Sequence, residues 1–466
     1  MIRAVPQPAI PPVADGDPAG LGVLELAAAY EAGSLTPSAA LAACLARIDA
    51  HEPAIRAFVT LDRAGAGRAA GEADRRQASG LVRGPLDGVP VAIKDNIDVA
   101  GLPTTGGFGR FRDRIAGTDA PVVARLRAAG AIIVGKLNLH EGALGATTDN
   151  VHFGRTINPA AADHTPGGSS GGSGAAVAAR FVPLALGSDT MGSVRIPAAY
   201  CGVHGLKPTE GLVPRTGTVP LSWLLDTIGP IARSVADLAE AIHAIRGFDA
   251  ADELSREAPD GWTAFGDSRQ DLSGVTVGLP TNVADDALDR TVAAAYARAV
   301  EAARTLGASV VRIAVDDWRP DMDRRAGLLV SEAEVAAELE GVLSDGRHGF
   351  GETFLSMVDY GRRTPVTKLA RAYRSVRRAG AAGRRALERV DVLLMPTAPQ
   401  TAFPHDADPP ANQADFTALA NFSGLPSLAI PVAGEGLPAG VQLLGRPFDE
   451  SRLLAIGAVL DRLVAA

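Results

Sequence analysis

Apolar residues recur at helical spacing in the first part of the chain. Residues 21–31 show this pattern, and it returns after Thr36 with apolar side chains that include Cys44 and Ile48. Thr36 followed by Pro37 is typical of a helix start, because the hydroxyl can cap free N–H groups and proline fits the first helical position. We therefore predict two helices here, with Cys44 packed in the core.

From residue 84 onward, short apolar runs alternate with longer amphipathic segments. The runs predicted to be strands are 89–93, 131–134, 182–186, 309–315 and 392–395. The segments predicted to be helices are 119–130, 286–306 and 366–390. This alternation predicts an α/β fold, with one large domain over residues 21–466 and a mixed, mostly parallel central sheet flanked by helices. Residues 1–20 are rich in proline and are predicted to be a flexible tail.

The composition is that of a large globular protein with an acidic surface. The 466 residues are 47% hydrophobic, with a mean hydropathy of +0.11, which suffices for a sizeable buried core. A net charge of −8 argues against nucleic acid as a partner, because a phosphate backbone attracts basic proteins. No apolar run approaches the roughly 18 residues of a membrane span, and no segment has the pattern of a secretory signal. We predict a cytoplasmic protein with no membrane partner.

Metal and cofactor chemistry is not indicated by the sequence. The two cysteines, Cys44 and Cys201, cannot build a disulfide framework, and no CxxC pair is present. The eight histidines include no H-x-x-x-H pair, which argues against a zinc enzyme. We therefore predict neither a metal nor a cofactor.

A dense glycine and serine segment, TPGGSSGGSG, occupies residues 165–174. Such a composition is typical of a flexible linker. Here, however, a helix-like segment at 175–180 and a predicted strand follow at once, so there is no second unit to link. A loop that opens a helix inside a core is the other interpretation, since glycine lets backbone approach a ligand closely.

A second turn of small residues, GSDTMGSVRIP at 187–197, follows the predicted strand that ends at 186. A serine on a tight turn at a strand end is where an α/β enzyme presents a nucleophile, which makes Ser193 a candidate. The N–H groups that could then form an oxyanion hole are those of Thr190, Met191, Gly192 and Ser193. An ordinary strand-to-loop turn is the alternative.

Lys94 ends the apolar run at 89–93. A lysine in this position is either a surface side chain with a buried stem or a desolvated base. Three other motifs resemble functional sites of other enzyme classes. The VAIK at 91–94 lacks the companion motifs of a kinase, and the P-loop spacing at 130–136 ends in Leu137 instead of Ser or Thr.

The third motif, G-x-S-x-G at 168–172, would make Ser170 the nucleophile of an α/β-hydrolase elbow. Its candidate histidines are His204, His243, His348 and His405. The segment before it is loop-like, whereas the elbow should follow a buried strand.

Several stretches together resemble the amidase signature family. They are GVPVAIKDNIDVAGLPTT, NPAAADHTPGGSSGGSGAAVAA, GSDTMGSVRIPAAYCGVHGLKPTEGLVP, LLDTIGPIARSVADLA and NFSGLPSLAIPVAGEGLPAGVQLLGRPFDE. The resemblance implies a Ser–cis-Ser–Lys triad with Ser193 as nucleophile, Ser169 as bridging serine and Lys94 as base. It also implies a cis peptide between Gly168 and Ser169, hydrogen-bonding support from Ser170 and an oxyanion hole at residues 190–193.

Other residues on these motifs are predicted to be structural. They are Asp189, Arg195, Lys207 and Asp226, with Lys136 and Asn138 bracing the same region. The sequence departs from the family at Met191, where glycine is usual, and at Leu137, where threonine is usual. We expect the Met191 side chain to narrow the acyl pocket.

The resemblance implies hydrolysis of C–N bonds through an acyl-enzyme. We expect a stand-alone amidase that hydrolyses small or aryl amides and, more weakly, aryl carbamates. This expectation is compatible with a homodimer. No charge pair for glutamine is identified in the sequence. The alternatives are a glutaminase like the amidase component of glutamyl-tRNA(Gln) amidotransferase, which works with partner chains, and an inactive scaffold on the same fold.

Overall fold

The computed structural model describes residues 7–266 and 269–464. Its strands are β1 Phe58–Leu61, β2 Pro90–Lys94, β3 Ile132–Leu137, β4 Asp149–Asn150, β5 Gly154–Arg155, β6 Leu184–Asp189, β7 His204–Lys207, β8 Thr227–Ala232, β9 Thr276–Pro280, β10 Ser309–Ile313, β11 Val392–Pro396, β12 Ser427–Val432 and β13 Ala439–Leu444. Its α-helices are α1 Val23–Glu31, α2 Pro37–Ile55, α3 Arg63–Ser79, α4 Pro121–Ala128, α5 Gly171–Ala178, α6 Arg195–Cys201, α7 Val235–Ile245, α8 Arg290–Thr305, α9 Pro320–Glu338, α10 Glu340–Ser344, α11 Glu352–Arg363, α12 Val366–Ala386, α13 Ala418–Ser423 and α14 Glu450–Val464.

The predicted helix starts follow from capping side chains. Thr36 precedes α2, and its hydroxyl oxygen accepts a hydrogen bond from the Ala39 N–H at 3.2 Å. Helix α8 begins at residue 290 instead of the predicted 286, because Asp289 caps it by accepting from the Val292 N–H at 2.7 Å. Cys44 is buried in the core, as predicted.

Among the described residues, one eleven-stranded sheet has the order β1-β3-β2-β6-β8-β7-β12-β13-β11-β9-β10. The α/β fold and the mixed sheet in a single domain are confirmed. The description of the sheet as mostly parallel needs correction, because six of its pairings are antiparallel and four are parallel. Strands β12 and β13 form a hairpin and β8 runs back between β6 and β7, so no crossover helix makes these neighbours parallel.

The pairing of β2 with β6 positions the site. The two strands are parallel neighbours, with Ile93 opposite Leu186. Parallel strands that end together deliver the residues after them to the same edge of the sheet. Lys94 at the end of β2 therefore lies beside Ser188 near the end of β6.

Part of the predicted tail packs against the domain. The Ala9 N–H donates to the Pro159 carbonyl at 3.0 Å, and Ile10 is buried. Residues 1–6 lie outside the described residues, and the boundary at residue 20 stays a prediction. In the described part of the chain, no helix is both long and apolar enough to span a bilayer.

Candidate active site

Lys94 is buried and surrounded by serine oxygens. Its Nζ lies 2.7 Å from Ser169 Oγ and 2.8 Å from Ser188 Oγ. The Ser188 carbonyl oxygen is 3.4 Å away. The side chain is 0% exposed, so Lys94 is not a surface lysine with a buried stem. Of the two interpretations open from the sequence, this geometry fits the desolvated base.

Burial lowers the pKa of Lys94 to about 7. Removing an ammonium from water disfavours its charged form, and this effect exceeds the opposing attraction of Asp226 and Asp189. The lowered pKa makes neutral Lys94, which can accept a proton, more available near pH 7 than an exposed lysine would be.

Ser169 is joined to Gly168 by a cis peptide bond, as the resemblance implies. The Ser169 side chain is fully buried beside Lys94, and its carbonyl oxygen accepts from the His140 N–H at 3.1 Å. A Cβ on Gly168 would lie 2.7 Å from the Thr147 backbone nitrogen, so only glycine fits there. The dense glycine and serine segment is thus a packed loop that opens α5 and does not act as a linker.

Ser193 stands on the loop that follows β6. It is partly exposed to a cavity, and the Ser170 N–H donates to its carbonyl oxygen at 3.2 Å. The structure therefore brings the serine loop at 168–170 and the loop at 190–193 together beside Lys94.

One of the four predicted oxyanion donors is already engaged. The Gly192 N–H donates to Asp189 Oδ1 at 2.7 Å, so we correct the prediction that it faces the oxyanion. Among the described residues, the N–H groups of Thr190, Met191 and Ser193 have no acceptor. Gly192 has a φ of +132°, and a Cβ there would lie 2.3 Å from Thr417 Oγ1. Its role in this structure is to shape the turn.

The predicted Asp189–Arg195 pair is formed and wholly buried. Arg195 Nη2 lies 2.9 Å from Asp189 Oδ1, and Nε lies 3.1 Å from Oδ2. Asn421 adds a hydrogen bond from Nδ2 to Asp189 Oδ1 at 3.0 Å. Burial favours protonation of Asp189, but the attraction of Arg195 and these hydrogen bonds outweigh it and lower the pKa to about 2. The carboxylate therefore stays charged and holds the loop.

Ser170 supports the site and does not face the cavity. Its hydroxyl donates to the Ser188 carbonyl at 3.0 Å, and its side chain is 0% exposed. The elbow alternative also lacks a partner, since the described hydrogen bonds of the Ser170 hydroxyl are with the backbone of Ser188 and none is with a histidine. The geometry therefore favours Ser193 over Ser170 as the group that meets a substrate.

Sequence reasoning did not identify Ser188 or Asn96 as site residues. Asn96 Nδ2 donates to Ser188 Oγ at 3.1 Å, which fixes the hydroxyl beside Lys94. The available signal was their place in the sequence, since Asn96 lies two residues after Lys94 and Ser188 directly precedes Asp189. Thr190 is held in a similar way, because its hydroxyl donates to Asp226 Oδ1 at 2.5 Å.

The remaining motif residues make buried contacts near these loops. Lys136 Nζ lies 2.8 Å from Asp95 Oδ1, next to Lys94 in the sequence. Asn138 Nδ2 donates to the Gly154 carbonyl at 2.9 Å, and buried Lys207 donates to the Pro208 carbonyl at 2.7 Å.

A cavity of about 330 Å³ opens onto Ser193. Apolar side chains form much of its wall, among them Leu144, Met191, Ile196, Leu221, Leu328 and Met357. Arg324 is its charged lining residue, and Arg324 Nε donates to Asp415 Oδ1 at 2.6 Å. The structure thus places at the cavity an ion-paired arginine that sequence reasoning missed, since Arg324 and Asp415 are far apart in the chain.

Within residues 7–266 and 269–464, no group of three or more histidine, cysteine or acidic side chains is arranged to hold a metal ion. The buried serines and Lys94 supply proton-transfer groups, and the free N–H groups supply donors for negative charge. This arrangement can perform acyl transfer.

The comparisons with known proteins agree with this chemistry. The Amidase family model matches residues 39–454. A glutamyl-tRNA(Gln) amidotransferase chain from Chloroflexus aurantiacus is 40% identical over 95% of this chain and 96% of its own length. The chain belongs to the amidase family and is an amide-cleaving enzyme of the amidase signature type.

Solved structures show the same fold. A peptide amidase from Stenotrophomonas maltophilia is 33% identical, with a TM-score of 0.81 over 96% of this chain and 97% of that one. A bacterial aryl acylamidase of the amidase signature family is 25% identical, with a TM-score of 0.87 over 95% of this chain and 96% of that one. A glutamyl-tRNA(Gln) amidotransferase chain from Thermotoga maritima is 30% identical, with a TM-score of 0.81 over 97% of this chain and 96% of that one.

Proposed function

We propose that the chain hydrolyses amides through an acyl-enzyme on Ser193, with Ser169 as proton relay and Lys94 as base. The contact between Lys94 Nζ and Ser169 Oγ, at 2.7 Å, carries the proposal, because it joins a lysine of lowered pKa to a serine next to the cavity. Serine is a weak nucleophile until a neighbour accepts its proton.

The reaction balances in two halves. Neutral Lys94 accepts the Ser169 proton while Ser169 accepts the proton of Ser193, whose Oγ bonds to the carbonyl carbon. The C–N bond then breaks as a proton returns through Ser169 to the leaving nitrogen, which departs as ammonia or an amine. Water attacks the resulting ester with the same relay, and Ser193 and a carboxylic acid are released.

The free N–H groups on the loop stabilise the tetrahedral intermediate. In the proposed arrangement, Thr190, Met191 and Ser193 donate to the developing oxyanion, and Gly192 does not. Loss of one such donor in other enzymes slows catalysis by a factor of about 10² to 10³.

For the substrate, the related proteins support the amidotransferase alternative better than the neutral aryl amides expected from the sequence. We infer that glutamine is a substrate and that partner chains receive the ammonia. Arg324 supports this inference. It lines the cavity and leaves its two terminal nitrogens free of described partners, so it can bind the α-carboxylate of glutamine.

Neutral amides are the second candidate, because the apolar cavity walls suit an uncharged acyl group. A panel of L-glutamine, butyramide, an acyl anilide and an aryl carbamate distinguishes the two. If glutamine is the substrate, the ratio of kcat/KM for glutamine over butyramide should fall at least about tenfold in Arg324→Met. The reason is that the variant loses the hydrogen bond between Arg324 and the charged α-carboxylate.

The matched control is Arg325→Met, on the same helix and exposed, which should keep the parent ratio. An unchanged ratio in Arg324→Met would contradict the role of Arg324 in binding glutamine. Turnover of anilides but not of glutamine would exclude glutamine in favour of neutral amides. Turnover of every substrate by Ser193→Ala would overturn the reaction itself.

A further inference from the structure

His140 lines the same cavity, and the mechanism above does not use it. Its main-chain N–H is bonded to the Ser169 carbonyl, so its position is tied to the relay serine. Its ring lies against Gly145, where a Cβ would come within 2.2 Å of His140 Nε2. The imidazole is therefore held in a fixed place on the cavity wall.

The hydrogen bonds of His140 define which ring nitrogen carries the proton. Nδ1 lies 3.1 Å from Thr147 Oγ1. Thr147 Oγ1 accepts from the Asp149 N–H at 3.4 Å, and its own proton has no other acceptor among the described residues, so it donates to Nδ1. A neutral imidazole then carries its proton on Nε2, which has no described partner.

The charge state of His140 agrees with that assignment. Burial, reinforced by nearby Lys94, lowers the pKa of His140 to about 4, and the attraction of Asp149 does not offset this. The ring is neutral at pH 7 and offers one donor without a charge.

The position of the His140 ring indicates which part of an amide substrate it would contact. The leaving nitrogen must approach Ser169 to receive its proton, so the wall beside Ser169 faces the amine part of an amide. We propose that His140 is a specificity-determining residue that binds the amine part of the substrate by donating from Nε2 to a carbonyl oxygen carried by that amine. This rests on the proposed hydrolysis of amides through an acyl-enzyme and extends it to amides with a substituted leaving amine, because the ammonia released from glutamine carries no such oxygen.

The test compares two amides that share the acyl group hydrolysed fastest in the panel above. One is the primary amide and the other is the glycinamide derivative, whose leaving amine carries a carboxamide oxygen. In His140→Leu, the ratio of kcat/KM for the glycinamide derivative over the primary amide should fall roughly fivefold, as for loss of one neutral hydrogen bond. His140→Gln, which restores a donor, should recover most of the ratio.

His243→Leu, an exposed histidine on α7, is the matched control and should keep the parent ratio. An unchanged ratio in His140→Leu overturns the proposal, and so does a parent chain that hydrolyses the primary amide but not the glycinamide derivative. Labelling of Ser193 in the parent chain by a serine-directed phosphonate tests the nucleophile separately. A parent chain that is not labelled would contradict the proposed function. A labelled parent chain with an unchanged kcat/KM ratio in His140→Leu would contradict only the role of His140.

A second measurement does not depend on turnover. The ¹⁵N shifts of His140 at pH 7 should show a protonated Nε2, and Thr147→Val should redistribute the proton between the two nitrogens. A proton on Nδ1 in the parent chain would overturn the assignment of the donor.

Discussion

Lys94 Nζ lies almost as close to Ser188 Oγ, at 2.8 Å, as it does to the Ser169 hydroxyl, at 2.7 Å. When Lys94 is charged, its three hydrogens match Ser169 Oγ and the two oxygens of Ser188. When Lys94 is neutral, two hydrogens remain on Ser188 and the lone pair faces Ser169. In the proposed mechanism, Ser188 therefore orients Lys94 toward Ser169.

Ser188→Ala should shift the acidic limb of the kcat/KM profile to lower pH. The charged form of Lys94 loses an acceptor, so the lysine pKa falls below its present value of about 7 and the neutral base is available at lower pH. The plateau should fall about tenfold, because one orienting hydrogen bond is gone. Ser173→Ala, which removes a buried hydroxyl bonded to the Leu186 carbonyl, is the control. A limb that stays in place or moves upward contradicts this role.

Removing Lys94 should slow acylation more than removing Ser169. In Lys94→Ala no base remains, and a loss of about 10² to 10⁴ in kcat is typical of general base removal. Ser169→Ala removes only the intermediate carrier, so some acylation should survive. Single-turnover rates with an activated ester measure both. Near-parent kcat at neutral pH in Lys94→Ala would show that the lysine is not the base.

The Asp189 carboxylate should make stability sensitive to acid. Its folded pKa of about 2 lies below the value of about 3.9 expected when unfolded, so it contributes stability above pH 4 that is lost as pH falls toward 2. Asp189→Asn should cost about 3 to 5 kcal/mol at pH 7, because it leaves the Arg195 charge buried without its counter-ion.

Urea unfolding at several pH values measures this effect. The difference between the parent and Asp189→Asn should narrow as pH falls from about 4 to 2. Asp49→Asn, at an exposed pair with Arg63, should keep the parent dependence. A difference independent of pH would mean that Asp189 is not ionised in the folded chain.

Met191→Gly should widen acyl preference. Met191 lines the cavity, and its sulfur lies against Gly327 of α9, where a Cβ would come within 2.8 Å. Removing this flexible apolar wall leaves space for longer acyl groups while the N–H at 191 is kept. The ratio of kcat/KM for hexanamide over propionamide should rise severalfold. A uniform loss on all chain lengths would instead indicate a disturbed loop.

The sequence predicted the parts of the site that rest on local motifs. Lys94, Ser169 and the cis bond at Gly168 lie where the motif positions imply, because the loops that carry them are short and follow strands. The engaged N–H of Gly192 was missed, since that depends on how Asp189 turns back onto its own loop. No sequence pattern specifies such a bond.

Features that depend on contacts between distant parts of the chain were not predicted, for a different reason. Arg324 and Asp415 meet only because α9 and the segment before α13 pack together, and nothing in either segment alone indicates the pair. The antiparallel pairing of β7 and β8 was likewise missed, because the two strands are separated by a long loop instead of a helix.

The contacts of Arg195 determine when the enzyme can first become active during its synthesis. Its guanidinium reaches the Thr417 carbonyl, Asn421 Oδ1 and Gln442 Oε1, which lie 222, 226 and 247 residues later in the chain. A nascent polypeptide that has been translated through Ser193 still lacks these partners. The loop gains its full set of contacts only after Gln442 has been added, so we expect a product that ends before Thr417 to carry Lys94, Ser169 and Ser193 and still be inactive.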